Sequence, residues 1–277
     1  MRALQLIGDR KLELVEVPPP PPPAAGEVQV RIKTVALNHL DVWGFRGMAF
    51  AKRKLPLVVG AEASAEIAAV GAGVNQFKTG DKVVMYGAMT CGHCDACREG
   101  RDNLCENVAG IMGFHLDGFA RDLINLPARL VIPVPAGVSL RDAACAPIAF
   151  GTTEHMLFDN AKLKPGETIL IHAGGSGIGS VAIKMAKALG CTVITTVGDD
   201  AKAERAKALA ADMLEYDVDA FLLGDLAHDA FEAFGLVVDD VIGAERLGLL
   251  GFGIVADGGD DGAAESFRHL DGDRPDT

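Results

Sequence analysis

Hydrophobic and polar residues alternate over several short stretches in the first half of the chain, and this period of two is typical of half-buried β-strands. The alternation is strictest where Val28, Val30 and Ile32 stand between polar neighbours. Turns that contain glycine separate the stretches. The strand-like stretches are residues 3–7, 11–17, 27–33, 57–67 and 81–86. Many short strands joined by glycine turns indicate a small β-barrel.

After about residue 150 the short alternating stretches give way to longer apolar runs. Residues 166–172 form a run of the kind that fills a buried parallel strand. A glycine turn at 174–179 follows, and residues 180–189 then carry apolar side chains at the spacing of a packed helix. Residues 191–197 predict a second strand, and residues 201–211 predict a second helix. This order predicts an α/β domain with a parallel sheet.

The chain has 277 residues, which is more than one hydrophobic core usually supports, so we expect two domains. The change of pattern separates residues 1–150 from residues 151–277. The predicted fold class is therefore α/β, with a β-barrel domain followed by a doubly wound domain.

Four of the six cysteines share one short segment of the first domain. They are Cys91, Cys94, Cys97 and Cys105. Four thiolates at this spacing can close a tetrahedral cage around Zn²⁺ and leave no position open for water. The alternatives are accidental cysteines or two disulfides, but thiols three residues apart cannot pair without crowding. We therefore expect one structural zinc ion per chain, and we expect Cys145 and Cys191 to be buried small apolar residues.

Charge is distributed unevenly along the chain. The formal net charge is −12, and from Asp212 onward 17 acidic residues stand against three arginines and no lysine. An acidic chain without clustered Lys and Arg argues against nucleic acid as a partner. No apolar run is long enough to span a bilayer, so no membrane partner is expected. The first residues lack the features of a signal peptide and a thiol cage favours a reducing compartment, so we expect a cytoplasmic location.

The turn after the first strand of the second domain reads Gly174-Gly175-Ser176-Gly177-Ile178-Gly179. Strand, glycine turn and helix in this order form the context in which a G-x-G-x-x-G turn binds a dinucleotide. Ser176 replaces the second glycine, so the turn alone is a weaker signal than the full motif. In this context we predict that a pyrophosphate rests on the backbone N–H groups at the helix N-terminus.

The cysteine segment, the glycine turn and several shorter motifs together resemble the medium-chain dehydrogenase/reductase superfamily. The shorter motifs are an Asn-x-x-Asp stretch at Asn38 and Asp41, a Val-x-Gly-x-Glu stretch that ends at Glu62, and the stretch Phe77 to Asp81. The resemblance implies a GroES-like catalytic domain over residues 1–150. It also implies a Rossmann-type NAD(P)-binding domain over residues 151–277.

In the zinc-dependent alcohol dehydrogenases of this superfamily, a second zinc is held at three positions that here carry Asn38, Ala61 and Phe150. Ala and Phe offer no donor atom and Asn offers a weak one, so a catalytic zinc is not expected. With Ala149-Phe150-Gly151-Thr152 at the junction, the chain resembles the quinone-oxidoreductase and enoyl-reductase branch. Without a metal, hydrogen-bond donors must stabilise the negative charge that develops during the reaction.

Asn38 is our first candidate for such a donor, and the alternative is a turn-forming residue at a strand end. Asp41 and Glu62 match the acids of the superfamily motifs. We expect both to orient neighbouring groups rather than to transfer protons, because nothing in the sequence indicates a raised pKa.

The end of the second Rossmann strand decides the choice of cofactor. NAD-preferring enzymes carry an acid there for the ribose hydroxyls, whereas this chain has Val197. Thr196, Lys202 and Arg205 could accommodate a 2′-phosphate, although two aspartates lie nearby. NADPH is therefore preferred over NADH. The resemblance adds Thr152 to the predicted cofactor site.

These features predict an NAD(P)H-dependent oxidoreductase that transfers a hydride between nicotinamide and a carbonyl, quinone or activated double bond of a small-molecule substrate. One alternative is a zinc-dependent alcohol dehydrogenase with other ligands. Another is a nucleotide-binding protein without turnover.

The resemblance becomes poor after residue 211. Residues 234–243 and 252–259 are similar to two later strands of the superfamily, but its closing helix and strand are missing. We therefore expect a Rossmann domain that is shortened at its C-terminus. The resemblance also implies that a homodimer can form.

Overall fold

The computed structural model describes residues 1–47 and 53–216, which form parts of two compact units. The first unit is Met1–Ile148, and the second begins at Ala149. The predicted strands at 234–243 and 252–259 lie outside the described residues. No helix within the described part of the chain is both long and apolar enough to cross a membrane.

The described residues of the first unit form eight short strands and three short helices. The strands are β1 (Arg2–Gly8), β2 (Lys11–Glu16), β3 (Glu27–Ala36), β4 (Leu57–Val58), β5 (Glu62–Val70), β6 (Lys82–Met85), β7 (Leu123–Pro127) and β8 (Val131–Pro133). The helices are α1 (His39–Arg46), α2 (Asp95–Arg98) and α3 (Leu140–Ala143), and α4 (Ala146–Glu154) begins in this unit and continues into the next.

The strands β1 to β8, which lie within the described residues, pair antiparallel wherever they meet. A five-stranded sheet has the order β7-β3-β5-β6-β8, and a three-stranded sheet has the order β2-β1-β4. The alternation along β3 builds the core, because Val28 and Val30 are fully buried while Arg31 on the other face is exposed. Burial of one such valine contributes roughly 1.5–3 kcal/mol relative to leaving it exposed.

The single strand predicted within residues 57–67 is in fact two strands, because the chain changes sheets at Gly60. The φ angle of Gly60 is +93°, and a Cβ atom there would lie 2.9 Å from the Val35 side chain and 3.1 Å from the Ala120 nitrogen. Only glycine fits this turn without strain. β4 before it pairs with β1, whereas β5 after it pairs with β3 and β6.

The described residues of the second unit form a parallel sheet with helices between its strands. The strands are β9 (Thr168–Ile171), β10 (Thr192–Val197) and β11 (Met213–Tyr216), in the order β11-β10-β9. The helices are α5 (Gly177–Ala188) and α6 (Asp200–Ala208), and a π-helical turn spans His155–Asn160. Ile183 of α5 and Ala203 of α6 pack with Val193 of β10 in one buried cluster.

Two predictions, one in each unit, were inaccurate. The helix predicted over residues 201–211 ends at Ala208, because Ala210 adopts a left-handed conformation with φ of 64°. Cys191 is buried as predicted, but Cys145 is exposed, so the prediction of burial was wrong for Cys145. Cys145 lies in the short connection between α3 and α4, where its side chain does not enter either core.

Asp212 joins the end of α5 to the start of β10. The Lys187 ammonium lies 2.9 and 2.8 Å from its two carboxylate oxygens, and the Val193 N–H donates to Oδ2 at 2.6 Å. The hydrogen bond from Lys187, followed by the one from Val193, holds the pKa of Asp212 below its ordinary value. A depressed folded-state pKa means that the carboxylate stabilises the fold above the unfolded pKa, and that this stability is lost as the pH falls through the folded value.

We therefore expect Asp212→Asn to lower the free energy of unfolding at pH 7, because the amide can still accept from Val193 but cannot pair with Lys187. Urea unfolding at pH 7 and at about pH 2.5 measures the difference between the two proteins, which is expected to close at the lower pH. Glu154→Gln, which removes an exposed charge from α4, is the matched control. A difference that persists unchanged in acid would contradict this assignment.

Candidate functional site

The four clustered cysteines converge on one point. Cys91 precedes α2, Cys94 caps it, Cys97 lies within it and Cys105 follows a 3₁₀ turn. All four Sγ atoms lie within 4.8 Å of one another, with 3.9 Å between Cys91 and Cys97 and 4.0 Å between Cys94 and Cys105. A tetrahedron with Zn–S bonds of 2.3 Å has S···S edges of about 3.8 Å. The donor set therefore fits a tetrahedral Zn²⁺.

The charges of the thiols also suit a cation. The backbone N–H groups of His93 and Cys94 donate to the Cys91 Sγ at 3.5 and 3.3 Å, and they lower the pKa of Cys91 to about 6. Desolvation raises the pKa of Cys97 to about 12, and the neighbouring thiols add to this rise. The Cys91 thiolate thus forms readily, whereas the Cys97 thiolate is favoured only when a positive charge lies beside it. His93 itself is exposed beside this cage, as expected for a spacer in the loop.

Arg129 supports the start of the cysteine loop from outside the loop. Its guanidinium donates to the Thr90 hydroxyl at 3.0 Å and also to the Thr90 carbonyl oxygen. Gly92 has a φ of +76°, and a Cβ there would lie 2.6 Å from the Arg129 Nε. Sequence reasoning missed this contact, because no motif connects Arg129 to the cysteines.

The three predicted catalytic residues come together at one end of the β3–β5 ladder. Asn38 is the N-cap of α1, and Glu62 opens β5 directly opposite Ala36 of β3. The Asn38 Nδ2 donates to the Glu62 Oε1 at 3.0 Å. The Asn38 backbone N–H donates to the Asp41 Oδ2 at 2.9 Å, which fixes the first turn of the helix.

Burial is the main electrostatic influence on both carboxyl groups. Glu62 is 2% exposed, and its desolvation raises its pKa against the lowering effect of the hydrogen bonds from Asn38 and Ile148. Desolvation likewise raises the pKa of Asp41, opposed by the backbone amides of Asn38, Gly60 and Ala61. The Asp41 Oδ1 makes no hydrogen bond within the described part of the chain. The sequence contained no sign of these raised pKa values, because they depend on tertiary burial.

The positions that the superfamily resemblance compares with a second zinc site offer few donor atoms here. Ala61 is completely buried and Phe150 is 43% exposed on α4. Within residues 1–47 and 53–216, the four cysteines form the only group of three or more His, Cys, Asp or Glu side chains close enough to hold a metal ion.

The glycine turn joins β9 to α5 through close contacts that exclude larger side chains. A Cβ at Gly174 would lie 2.2 Å from the Thr195 Oγ1, and a Cβ at Gly179 would lie 2.2 Å from the Ala173 oxygen. Ser176 is the N-cap of α5, and its hydroxyl accepts a hydrogen bond from the Gly179 N–H at 3.0 Å. A Cβ at Gly177 would meet no atom within 4 Å. The described residues thus leave open space beside Gly177 at the start of α5, and the N–H groups of a first helical turn suit a phosphate.

The other predicted cofactor residues lie at several places around this turn. The Thr196 Oγ1 accepts a hydrogen bond from the Ala173 N–H at 3.0 Å, so this hydroxyl already supports the turn. Lys202 packs its aliphatic stem against the turn, because a Cβ at Gly175 would lie 2.7 Å from its Cβ. Thr152 is exposed on α4. Val197 is 4% exposed within the core, so its side chain points away from solvent.

Comparison with known proteins gives a consistent family. Residues 24–136 match the alcohol dehydrogenase GroES-like domain. Alcohol dehydrogenase of Geobacillus stearothermophilus is 37% identical over 193 residues, which cover 68% of this chain and 56% of that protein. Acryloyl-coenzyme A reductase of Metallosphaera sedula is 31% identical over 203 residues, which cover 73% of this chain and 60% of that protein. The crystal structure of an NAD-dependent alcohol dehydrogenase is 39% identical with a TM-score of 0.75, over 85% of this chain and 68% of that one.

The chain belongs to the zinc-containing medium-chain dehydrogenase/reductase superfamily. This membership confirms the predicted family and the predicted α/β fold class with a GroES-like first domain. The quinone-reductase branch of the superfamily stays a prediction, since the similar proteins include both an alcohol dehydrogenase and an acryloyl-coenzyme A reductase. The chain spans a little over half the length of these two relatives.

The four-cysteine cage, which matches the zinc-containing character of the superfamily, generates a direct test. We expect elemental analysis to find one zinc ion per purified chain. X-ray absorption spectroscopy of that zinc should show sulfur ligands only. Cys97→Ser should reduce the zinc content and destabilise the first unit, because the metal organises a loop with little core of its own. A loss of about 2 kcal/mol would lower Tm by roughly 4–8 °C.

Cys145→Ser is the matched control, because it removes an exposed thiol outside the cage. It should leave both the zinc content and Tm unchanged. Retention of zinc and Tm by Cys97→Ser would contradict the proposed ligand set.

Proposed function

We propose that this chain is an NAD(P)H-dependent oxidoreductase that transfers a hydride between nicotinamide and a carbonyl, quinone or activated double bond. The observation that carries the proposal is the Asn38 amide, held by the buried Glu62 carboxylate at the position where zinc-dependent relatives have a metal ligand. The family membership supports hydride chemistry in general. Because the chain spans only part of its relatives, its activity is our proposal rather than a property carried over from them.

We assign Cys91, Cys94, Cys97 and Cys105 to one structural zinc ion. The S···S distances and the lowered pKa of Cys91 support this role. When bound, such a zinc supplies folding stability, because four thiolates leave no position for water or substrate.

We assign the turn Gly174–Gly179, including Gly175, Ser176, Gly177 and Ile178, to the pyrophosphate of the nucleotide. The Ser176 cap, the close approaches at Gly174 and Gly179 and the open space at Gly177 support this role. Thr152 belongs to the same proposed site through its superfamily motif. The bound nucleotide supplies the hydride, and the residues of this chain bind and orient it.

We propose that NADPH is preferred over NADH. The stem of Lys202 lies against the turn, and its ammonium, 3.6 Å from the Asp199 Oδ2, is a positive charge that a 2′-phosphate would attract, whereas Val197 offers no carboxylate to the ribose hydroxyls. Thr196 supports the turn rather than the phosphate directly, since its hydroxyl is hydrogen-bonded to Ala173. A preference for NADH is the alternative, and it is favoured by the similarity to a structure titled NAD-dependent alcohol dehydrogenase.

The role of Asn38 follows from where charge develops. As hydride reaches a carbonyl carbon or the β-carbon of an enone, negative charge accumulates on oxygen. One Asn38 N–H is used by Glu62, and an amide has a second N–H that can donate to that oxygen. Asp41 fixes the Asn38 backbone rather than reaching the substrate itself.

A zinc-dependent alcohol dehydrogenase is the second candidate, favoured by the names of several relatives. Metal content separates the two, because that enzyme requires two zinc ions per chain. A nucleotide-binding protein without turnover is the third candidate. Such a protein would bind NADPH, but it would not oxidise NADPH in the presence of any quinone or enone of a test panel. A homodimer and a cytoplasmic location stay predictions.

We expect Asn38→Ala to lower kcat of NADPH oxidation with the best substrate of that panel about a hundredfold, with little change in the Kd of NADPH. Loss of one donor to a developing oxyanion costs about 3 kcal/mol. Asn75→Ala, which removes an exposed amide from the connection between β5 and β6, is the control and should keep full activity. If Asn38→Ala stays within about twofold, a barrier change below roughly 0.5 kcal/mol, Asn38 is only a helix-capping residue.

The proposed cofactor preference is tested separately by fluorescence titration. We expect Lys202→Ala to weaken NADPH binding about tenfold and NADH binding less than twofold, because only NADPH carries the 2′-phosphate. Lys184→Ala on the exposed side of α5 removes the same charge and should alter neither affinity. Equal loss for both cofactors in Lys202→Ala would mean that Lys202 supports the turn and does not select the phosphate.

A further inference from the structure

Both carboxylate oxygens of Glu62 are hydrogen-bonded. Oε1 accepts from the Asn38 Nδ2 at 3.0 Å, and Oε2 accepts from the Ile148 N–H at 2.7 Å, in the first turn of α4. The side chain is 2% exposed. The carboxylate therefore cannot rotate without breaking a bond that water cannot replace, and it presents a fixed oxygen to Asn38.

An ionised carboxylate only accepts hydrogen bonds, so the Asn38 amide must present its nitrogen to Glu62. The second N–H and the carbonyl oxygen of that amide then point in defined directions. The backbone of Asn38 cannot compensate by moving, because its own N–H is held by the Asp41 Oδ2 at 2.9 Å. One ionised carboxyl group thus determines where the second N–H of Asn38 points.

We infer that Glu62 is a positioning residue whose ionised carboxylate aims the second N–H of Asn38 at the substrate oxygen. This inference rests on the proposed function. If Glu62 binds a proton, it can donate to the Asn38 carbonyl oxygen, and the amide can turn around. An oxygen lone pair then occupies the position of the N–H, and it repels the charge that the N–H stabilised.

The surroundings of Glu62 favour its protonation as the pH falls, and with it the rotation of the Asn38 amide. Burial has the largest effect on the pKa of Glu62 and raises it. The hydrogen bonds from Asn38 and Ile148 oppose the rise, and the negative charge of Asp41 on α1 adds to it. Among the described residues, Cys145, before α4, also interacts with Glu62, and its own pKa is raised by desolvation and by Glu62. The Cys145 thiol is therefore neutral in the acidic range in which Glu62 gains its proton.

A double-mutant cycle tests the inference with kcat as the readout. The four proteins are the parent, Glu62→Gln, Asn38→Ala and the double variant, all assayed with NADPH and the best quinone or enone substrate. Gln keeps the size of Glu62, and when its oxygen accepts from the Ile148 N–H its NH2 group faces Asn38, so it offers Asn38 a donor in place of the carboxylate acceptor. We expect Glu62→Gln to lower kcat about tenfold in the parent, and less than twofold when Asn38 is already Ala.

The pH profile is the second readout. In the parent, kcat should fall at acidic pH as Glu62 is protonated. This acid limb of the pH profile should be absent in Glu62→Gln. Glu66→Gln is the control on the same strand, where Glu66 pairs with Lys33 at 2.9 Å, and it should keep both kcat and the limb. A general loss of stability would not remove a single ionisation from the profile.

The outcomes separate this inference from the proposed function. If Glu62→Gln lowers kcat equally with and without Asn38, or if its acid limb remains, Glu62 does not act through Asn38 and the inference is wrong. If Asn38→Ala leaves kcat unchanged, the proposed catalytic role itself is wrong.

A measurement without turnover covers the case in which Glu62→Gln does not fold. The side-chain amide resonances of Asn38 in the parent protein should shift with pH at the ionisation of Glu62. Resonances that do not respond to that ionisation would overturn the inference.

Discussion

Antiparallel pairing between β3 and β5 is the constraint on which the first unit depends. The ladder runs from Val28 opposite Val70 to Ala36 opposite Glu62, with two irregularities in register. Its buried face carries much of the core, and its end sets the distance between the Asn38 and Glu62 side chains. Because register is determined by which face is buried, the same apolar alternation that folds the sheet also aligns the polar residues at its end. Packing and chemistry are therefore coupled through one pair of strands.

Glu62 extends this coupling beyond the sheet. Its carboxylate joins the N-cap of α1 to the first turn of α4, so three elements meet at one buried acid. Burial of a charge without partners would be costly, and the two hydrogen bonds and the raised pKa show how the fold accommodates it. The exposed loop of the cysteine cage contrasts with this arrangement. There the side chains are close because their spacing in sequence is short, and Arg129 adds support from a distant part of the chain.

The second unit shows how a departure from a motif can be compatible with its role. Ser176 stands where the dinucleotide motif has glycine, and in the structure it caps α5 by accepting from the Gly179 N–H. Gly174 and Gly179 remain where side chains would collide with Thr195 and Ala173. The two glycines are thus required by packing within the turn, while the N–H groups of the first helical turn remain suited to an anion.

The sequence by itself determined the features that rest on short spacing and periodicity. These are the stretches that hold strands β1 to β6, the strand–turn–helix of the second unit, the four cysteines and the family motifs at Asn38, Asp41 and Glu62; β7 and β8 were not among the predicted strands. Local geometry decides such features, because residues a few positions apart are close in any compatible fold.

Only the tertiary structure decided the features that depend on which distant groups meet. The sequence could not reveal the hydrogen bond from Ile148 to Glu62, the contact of Arg129 with Thr90, the exposure of Cys145 or the break at Gly60. It could not reveal the raised pKa values of Asp41 and Glu62 either, since desolvation is a property of the assembled core. The physical reason is that spacing along a chain fixes local neighbours, whereas burial and long-range hydrogen bonds arise only when separate segments pack together.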